Sequence, residues 1–242
     1  SKPFINPLNA SSMQTEVSDQ LQDYYDHHYD DRENEHWYQV GGRGKARNIM
    51  ALAEGLGAKT VLDVGSGNGA VLDWLDRWNW GPEITALEIS EGGIEKIKKR
   101  QLKSVKNVQI FDGYKIPFPD NSFDLVTCSH VIEHVEHYRL LLREIKRVSK
   151  YQIFEIPIDF SLYVDKKVEH FLSYGHINIY TPQTFRFLLK SEGFSVLKSK
   201  GNLYDPAVYD MLAQHKFFKK WGLRIKNFLW KNSPLMWLKP HV

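Results

Sequence analysis

The chain has 242 residues, of which 42% are hydrophobic and 25% are charged, and these proportions are typical of a globular protein with a full core. A formal net charge of +3 predicts no nucleic-acid-binding surface, and the single cysteine, Cys128, excludes an intrachain disulfide and a cysteine-based zinc site. Because the sequence has neither a stretch of about 20 apolar residues nor the apolar core of a signal peptide at its start, we expect a cytoplasmic protein.

The N-terminal region, residues 1–42, is predicted to be a helical cap or lid. Its residues 16–31 have the apolar spacing of an amphipathic helix. Gly41-Gly-Arg-Gly44 is typical of a turn. A second helix over residues 45–56 is then expected to lead into the core.

Residues 43–203 are predicted to form the main domain, because strand and helix patterns alternate along them. Alternation at this spacing indicates a parallel sheet with crossover helices. Pro182 begins a further helix that is expected to end at Gly193, and a last strand is predicted from Phe194. The alternating elements are predicted at residues 60–64, 69–78, 83–88, 91–103, 107–111, 123–128, 137–148 and 151–157.

The most informative segment is the glycine-rich turn in Asp63-Val-Gly-Ser-Gly-Asn-Gly69, which follows a short apolar strand and precedes an amphipathic helix. Glycines at positions 65, 67 and 69 let the backbone approach a ligand closely, and the helix behind them offers unpaired N–H groups. The residues satisfy both the G-x-G-x-x-G/A pattern of dinucleotide-binding enzymes and D-x-G-x-G-x-G. The turn therefore predicts a nucleotide-cofactor site and leaves the cofactor open.

Motifs after the turn narrow this choice. Glu88 lies 19 residues after the last glycine of the turn, where a carboxylate accepts both ribose hydroxyls of a nucleotide cofactor. Because many cofactors contain such a ribose, Glu88 does not decide which one binds. Asp112 and Gly113 end the third strand, and Ile116-Pro-Phe118 and Ser122-Phe-Asp-Leu-Val126 follow. This order of motifs resembles class I S-adenosylmethionine (SAM)-dependent methyltransferases, and dehydrogenases have no counterpart of it.

The resemblance covers residues 61–197 and implies a Rossmann-like α/β fold. In that fold a seven-stranded, mostly parallel sheet has helices on both faces, with N-terminal helices and a C-terminal helical extension here. SAM is the implied cofactor and S-adenosylhomocysteine the product. Relatives often have Pro-Gly-Gly before the fifth strand, and because this chain lacks it after Arg147-Val148 we expect a tighter turn there.

Cofactor-binding residues follow from the same resemblance, except for one arginine that is proposed from its charge. Its guanidinium is a candidate bidentate partner for the SAM carboxylate, and the alternative is a solvated surface arginine. The implied set, with that arginine first, is Arg43, Asp63, Gly65, Ser66, Gly67, Gly69, Glu88, Ile89, Asp112, Gly113, Cys128 and Ser129.

The segment after the fourth strand has H-x-x-E-H spacing at His130, Glu133 and His134. On a helix these three side chains would share one face, a pattern that suits a divalent metal. Ubiquinone-biosynthesis-type O-methyltransferases, some of which use an acidic and histidine cluster here, have an acid at the position of His130. Since relatives with a Glu-His pair commonly need no metal, we predict none and expect activity to survive EDTA.

Two histidines are candidate general bases. By resemblance, His130 faces the transferred methyl group, and Gly175-His176-Ile-Asn-Ile-Tyr-Thr181 is similar to a stretch of small-molecule and glycan methyltransferases. An ordinary histidine pKa near 6.5 suits proton removal. The alternative for His176 is a hydrogen-bonded structural residue.

Residues 204–242 form a predicted C-terminal helical extension that is basic and aromatic. Residues 215–231 contain no acid and have the spacing of an apolar helical face. That face either packs on the domain or a partner subunit, which we expect, or makes a peripheral contact with an anionic membrane.

Together these features predict a SAM-dependent methyltransferase that acts on a small-molecule acceptor, a sugar or a lipid intermediate, at oxygen rather than nitrogen. The alternatives are methylation of RNA or protein and an inactive SAM-binding scaffold. No nucleic-acid partner is expected, and neither the acceptor nor the oligomeric state follows from the sequence.

Overall fold

The structure, a computed structural model, describes residues 32–160, 164–173 and 175–201. Predictions for the helix at 16–31 and for the C-terminal extension, including residues 215–231, lie outside the described residues. The helices are α1 (Arg32–Ala53), α2 (Ala70–Arg77), α3 (Glu91–Lys99), α4 (Tyr138–Val148), α5 (Val168–Leu172) and α6 (Pro182–Ser191). The strands are β1 (Thr60–Val64), β2 (Glu83–Glu88), β3 (Val105–Ile110), β4 (Phe123–Ser129) and β5 (Ser149–Glu155). Two short 3-10 helices span Ile132–His134 and Val164–Lys167.

The strands form one parallel sheet in the order β3-β2-β1-β4-β5, so the predicted alternation of strands and helices is confirmed. Within the described residues this sheet has five strands, and the implied seven are not all present there. The strand predicted from Phe194 is wrong, because residues 194–201 belong to no strand. Side chains hold this segment instead: the Phe194 ring lies 5.5 Å from the Phe154 ring, and Lys198 Nζ donates to Glu54 O at 3.0 Å.

Apolar side chains cover both faces of the sheet, as a parallel sheet with crossover helices requires. Leu62 and Val126 pack on one face with side chains of α4 and α6. Val61 and Leu125, their neighbours along the strands, pack on the other face with α1 and α2. Among the described residues, no helix has both the length and the apolar character needed to cross a membrane.

The predicted turn at Gly41–Gly44 is wrong, since these residues lie inside α1. A Cβ on Gly42 would lie 2.9 Å from the backbone carbon of Ala70, the first residue of α2. The missing side chain thus lets the two helices approach closely, and Trp74 Nε1 adds a 2.8 Å hydrogen bond to Gln39 O. Gly42 therefore serves helix packing rather than a change of chain direction.

The connection from α4 to β5 contains no loop residue, because α4 ends at Val148 and β5 begins at Ser149. Ser149 Oγ donates to Ile145 O at 2.7 Å across this junction. The tighter turn expected from the missing Pro-Gly-Gly is therefore present. From this start, β5 pairs with β4 up to Ser129 and Glu155.

The amino edge of the sheet is held by Asp124 near the start of β4. Its Oδ2 accepts hydrogen bonds from Lys59 N at 2.8 Å, Thr60 N at 3.0 Å and Thr60 Oγ1 at 3.2 Å. These bonds lower the pKa of Asp124. This carboxylate ties β1 to β4 at the edge where both strands begin.

Candidate functional site

The glycine-rich turn leaves the carboxyl end of β1 with its first glycine in a left-handed conformation, at φ 73° for Gly65. A Cβ on Gly65 would overlap the Val131 side chain, so glycine serves both the conformation and the packing here. Gly65 N and Ser66 N donate to Leu87 O at 2.9 and 3.0 Å, which fixes the turn against β2. Its third glycine, Gly69, has φ 77° and precedes the N-terminus of α2.

Glu88 lies buried at the tip of β2, opposite this turn. Its carboxylate accepts Gly67 N at 2.7 Å and Ser90 N at 3.3 Å. Burial raises the pKa of Glu88, although these backbone hydrogen bonds act in the opposite direction. A Cβ on Gly93 would lie 2.8 Å from Glu88 Cγ, so close packing fixes the carboxylate in place.

These residues fit an adenosine cofactor such as SAM. A buried carboxylate at the tip of β2 suits the two ribose hydroxyls, and the side-chain-free turn beside it suits close approach of a ligand to the backbone. The Asp112 side chain is exposed after β3, where its Oδ1 accepts Tyr114 N at 2.9 Å and Lys115 N at 2.6 Å. Gly113, with φ 85°, completes that turn, and Ile89 is partly buried beside the core.

Asp63 and Lys45 form a second group of charged residues near the turn. Asp63 is buried and accepts Thr127 Oγ1 at 2.6 Å, and burial raises its pKa. Lys45 enters from α1; burial lowers its pKa, while the nearby carboxylates of Glu155, Glu133 and Asp63 act to raise it. Sequence reasoning missed this lysine because it belongs to no motif.

Arg43, the cation chosen from the sequence, lies with its guanidinium carbon 5.9 Å from the centre of the Trp74 ring. Its role toward the cofactor stays a prediction. At the end of β4, Cys128 is fully buried, and burial raises the pKa of its thiol well above the usual value, which is typical of a structural cysteine. Ser129 Oγ donates to Glu155 Oε2 at 2.8 Å, and Asn48 Nδ2 donates to Glu155 Oε1 at 2.7 Å.

His130, the first residue after β4, has φ 57°, a left-handed conformation that is uncommon outside glycine. Its N–H donates to Glu155 O at 2.8 Å, which helps to hold this conformation. Burial lowers the pKa of His130 well below the usual histidine value. Strained residues of this kind cluster at functional sites, and this one directly follows β4, which pairs with β1.

The H-x-x-E-H residues do not share the face of an α-helix, because only Ile132–His134 is helical, as one 3-10 turn. His130 Nδ1 lies 3.4 Å from Glu133 Oε1, and His134 Nε2 lies 3.9 Å from the same oxygen. His176 joins Glu133 and His134 from a distant segment, and the potential ligand atoms of these three lie within 4.8 Å of one another. The structure therefore assembles a different trio from the one the spacing indicated.

Glu133 is the most unusual residue of this trio. It is fully buried, and neither carboxylate oxygen receives a hydrogen bond within the described part of the chain. Burial raises its pKa to about 7. The Tyr180 hydroxyl is also buried without a hydrogen bond there, and burial, Tyr138 and Glu133 raise its pKa.

The segment containing His176 is held against the 3-10 turn by its backbone. Ile177 N and Asn178 N both donate to Glu133 O at 3.0 Å, and Asn178 Nδ2 donates to Val135 O at 2.8 Å. His176 Nδ1 lies 2.7 Å from Asp159 Oδ2. Only the fold brings Asp159 here, since no sequence motif marked it.

Comparisons with known proteins agree with this geometry. A family model described as a methyltransferase domain matches residues 26–199. A ubiquinone/menaquinone biosynthesis C-methyltransferase of Desulfotalea psychrophila is 32% identical over 104 residues, which are 43% of this chain and 42% of that protein. A phthiotriol/phenolphthiotriol dimycocerosates methyltransferase of Mycobacterium tuberculosis is 33% identical over 93 residues, 38% of this chain and 34% of that protein.

The chain thus spans less than half the length of both curated relatives. Among solved structures, a SAM-dependent methyltransferase from Thermotoga maritima has the same fold, with a TM-score of 0.56 at 18% identity over 72% of this chain and 80% of that one. This similarity shows the fold of the chain. The chain belongs to the methyltransferase-domain family of SAM-dependent enzymes.

Proposed function

We propose that this chain transfers the methyl group of SAM to an oxygen atom of a small molecule, a sugar or a lipid intermediate. One observation carries the proposal: His130, Glu133, His134 and His176 gather directly beyond the carboxyl end of β4, beside the glycine-rich turn. Ligands of open α/β sheets bind at this edge, so a polar acceptor and the cofactor would meet there.

On the cofactor side, Glu88 is proposed to bind the ribose hydroxyls by charge-assisted hydrogen bonds, with Gly65, Ser66, Gly67 and Gly69 lying along the ligand. When bound, SAM supplies a sulfonium-activated methyl group, and the protein supplies position and exclusion of water. Asp112 and Gly113 are proposed for the adenine end and the backbone of Cys128 and Ser129 for the methionine end, together with Asp63, Ile89 and Arg43.

On the acceptor side, His130 is the proposed general base for the hydroxyl proton. Its lowered pKa keeps the imidazole neutral at pH 7, which is the form that accepts a proton. His176 is the second candidate in a chain without a bound metal ion, because the Asp159 carboxylate 2.7 Å from Nδ1 orients its ring. The His130 side chain is 24% exposed and the His176 side chain is 16% exposed, so an acceptor can reach each of them.

A second candidate function is methylation at carbon. It is favoured by the name of the relative from Desulfotalea psychrophila, which is a C-methyltransferase. The two outcomes differ in the product, because a methyl group on oxygen and one on carbon have distinct chemical shifts.

Labelled-methyl transfer tests the proposal. The protein is incubated with SAM that carries a ¹³C methyl group and with separated pools of polar metabolites, sugars and extracted lipids, and products are identified by mass and NMR. We expect one pool to gain a methyl ether. We also expect His130→Gln to lose most of the transfer, by about 10²-fold or more, while His170→Gln, which alters an exposed histidine of α5, keeps it. Normal SAM binding without transfer to any pool would contradict the proposal and favour a scaffold.

A further inference from the structure

We propose that Glu133, His134 and His176 bind one divalent transition-metal cation, with Zn²⁺ as the ion that suits them best. Two imidazoles and one carboxylate form a common three-residue ligand set for zinc, which then keeps a fourth position for water or substrate. This site goes beyond methyl transfer itself. The binding of the ion does not depend on the proposed function.

The first argument is the buried carboxylate. Glu133 is completely buried, and both of its oxygens are without a hydrogen bond in the described residues. A buried polar group without a partner is costly, and such groups are rare in folded proteins. A cation at this position would provide the missing partner for both oxygens.

The second argument is the orientation of the two histidines. His134 Nδ1 lies 3.0 Å from Gly175 O, and His176 Nδ1 lies 2.7 Å from Asp159 Oδ2. Because a carbonyl and a carboxylate only accept, each Nδ1 carries the proton. In the neutral ring, Nε2 then has the lone pair that ligates a metal, and histidine ligands are usually oriented by such second hydrogen bonds.

The third argument is the mutual position of the groups. His134 Nε2 lies 3.9 Å from Glu133 Oε1, so one cation can contact both atoms. The potential ligand atoms lie within 4.8 Å of one another, and zinc bonds of about 2.0–2.1 Å place tetrahedral ligand atoms roughly 3.3 Å apart. Binding therefore requires side-chain rotations that bring these atoms closer together, while the two backbone hydrogen bonds to Glu133 O keep the segments in place.

This set differs from the one that the sequence spacing indicated. His130 belongs to the H-x-x-E-H pattern but lies outside the structural trio, whereas His176 belongs to the trio but not to the pattern. Asp159 is assigned as a positioning residue, because it contacts the imidazole ring of His176 rather than the ion. The proposal replaces our sequence-based expectation of no metal.

Calorimetric titration with Zn²⁺ alone tests the site in the full chain, after EDTA treatment and dialysis, without SAM or acceptor. We expect one site per chain, at least 10²-fold weaker binding for His176→Ala and for Glu133→Gln, and about 10- to 100-fold weaker binding for Asp159→Asn. Co²⁺ should give the visible absorption of a tetrahedral site, and this absorption should be lost in His176→Ala. Circular dichroism verifies that each variant is folded.

Two histidine variants are the matched controls. His130→Ala and the exposed His170→Ala should bind Zn²⁺ as the wild type does. Equal losses in His130→Ala would restore the H-x-x-E-H set and overturn this one, and so would unchanged affinity in His176→Ala or the absence of any binding.

The same experiments separate this inference from the proposed function. Zinc binding without methyl transfer to any acceptor would leave the metal site standing and contradict only the transferase proposal. Methyl transfer that is complete in EDTA, by a chain that binds no zinc, would overturn the metal site and leave the transferase proposal intact.

Discussion

The two edges of the sheet use acidic residues in opposite ways. At the amino edge, Asp124 accepts three hydrogen bonds from Lys59 and Thr60, and these bonds lower its pKa. At the carboxyl edge, burial raises the pKa of Asp63, Glu88 and Glu133. Hydrogen bonds within the protein stabilise the anionic form of Asp124, whereas burial destabilises the anionic form of the other three carboxyl groups.

We interpret this difference as one between a structural acid and acids that are proposed to bind a ligand. A structural carboxylate is ionised because its partners are already in place, as Asp124 shows. A buried carboxylate with raised pKa stores an unfavourable interaction that a ligand relieves, and such groups concentrate at functional sites. Substituting an acid should therefore change the stability of the protein with opposite pH dependence at the two edges. Only substitutions at the carboxyl edge should weaken ligand binding.

The largest effect is expected from Glu133→Gln at the carboxyl edge. A carboxyl group whose pKa rises from 4.5 to about 7 on folding favours the native state below pH 4.5, and this contribution is lost as the pH rises through 7. At pH 8 the variant should be more stable than the wild type by up to roughly 3 kcal/mol. Urea unfolding in EDTA between pH 5 and 8 measures this difference, and a gap that does not vary with pH would contradict the buried charge.

Next in size is the loss of cofactor binding in Glu88→Ala. Removing a charge-assisted pair of hydrogen bonds should cost about 2–3 kcal/mol of SAM binding. Calorimetry should also show no NAD binding by the wild type. Unchanged SAM affinity in a folded Glu88→Ala protein would remove this residue from the site.

Asp124→Asn is the matched exchange at the amino edge, and a smaller effect is expected. The lowered pKa of Asp124 means that its contribution to stability is present above its ordinary pKa and is lost as the pH falls. The variant should be less stable than the wild type at pH 7, and the two should converge in acid. Its SAM affinity should equal that of the wild type, and a clear loss there would break the distinction between the edges.

The smallest effect concerns the backbone at His130. Because its φ of 57° favours glycine, His130→Gly should be more stable than His130→Ala by about 1 kcal/mol. Both variants remove the imidazole, so both should lose methyl transfer equally. Equal unfolding free energies would show that the left-handed conformation carries no strain.

Much of the fold was predictable because local patterns determine it. Strands β1 and β2 have the predicted bounds, and the glycine-rich turn between β1 and α2 has the predicted place. The turn predicted at Gly41–Gly44 was wrong, since a glycine that allows two helices to touch has the same sequence pattern as a glycine that ends one. Long-range packing decides between these two roles, and composition does not.

The site was only partly predictable for the same reason. Spacing found Glu133 and His134, and resemblance drew attention to His176. The 2.7 Å approach of Asp159 to His176 and the position of Lys45 opposite three acids join segments far apart in sequence. No local pattern records such contacts.

The junction without a loop between α4 and β5 fixes which residues of β5 reach the site. Side chains alternate between the two faces of a strand, so one residue inserted between Val148 and Ser149 would turn Glu155 away from Ser129 and Asn48. Most loops absorb an insertion by bulging outward, but this junction has no spare residue with which to do so. An insertion at this point should therefore be poorly tolerated although it lies outside the cofactor turn, because the length of the backbone alone sets the alignment of the far end of β5.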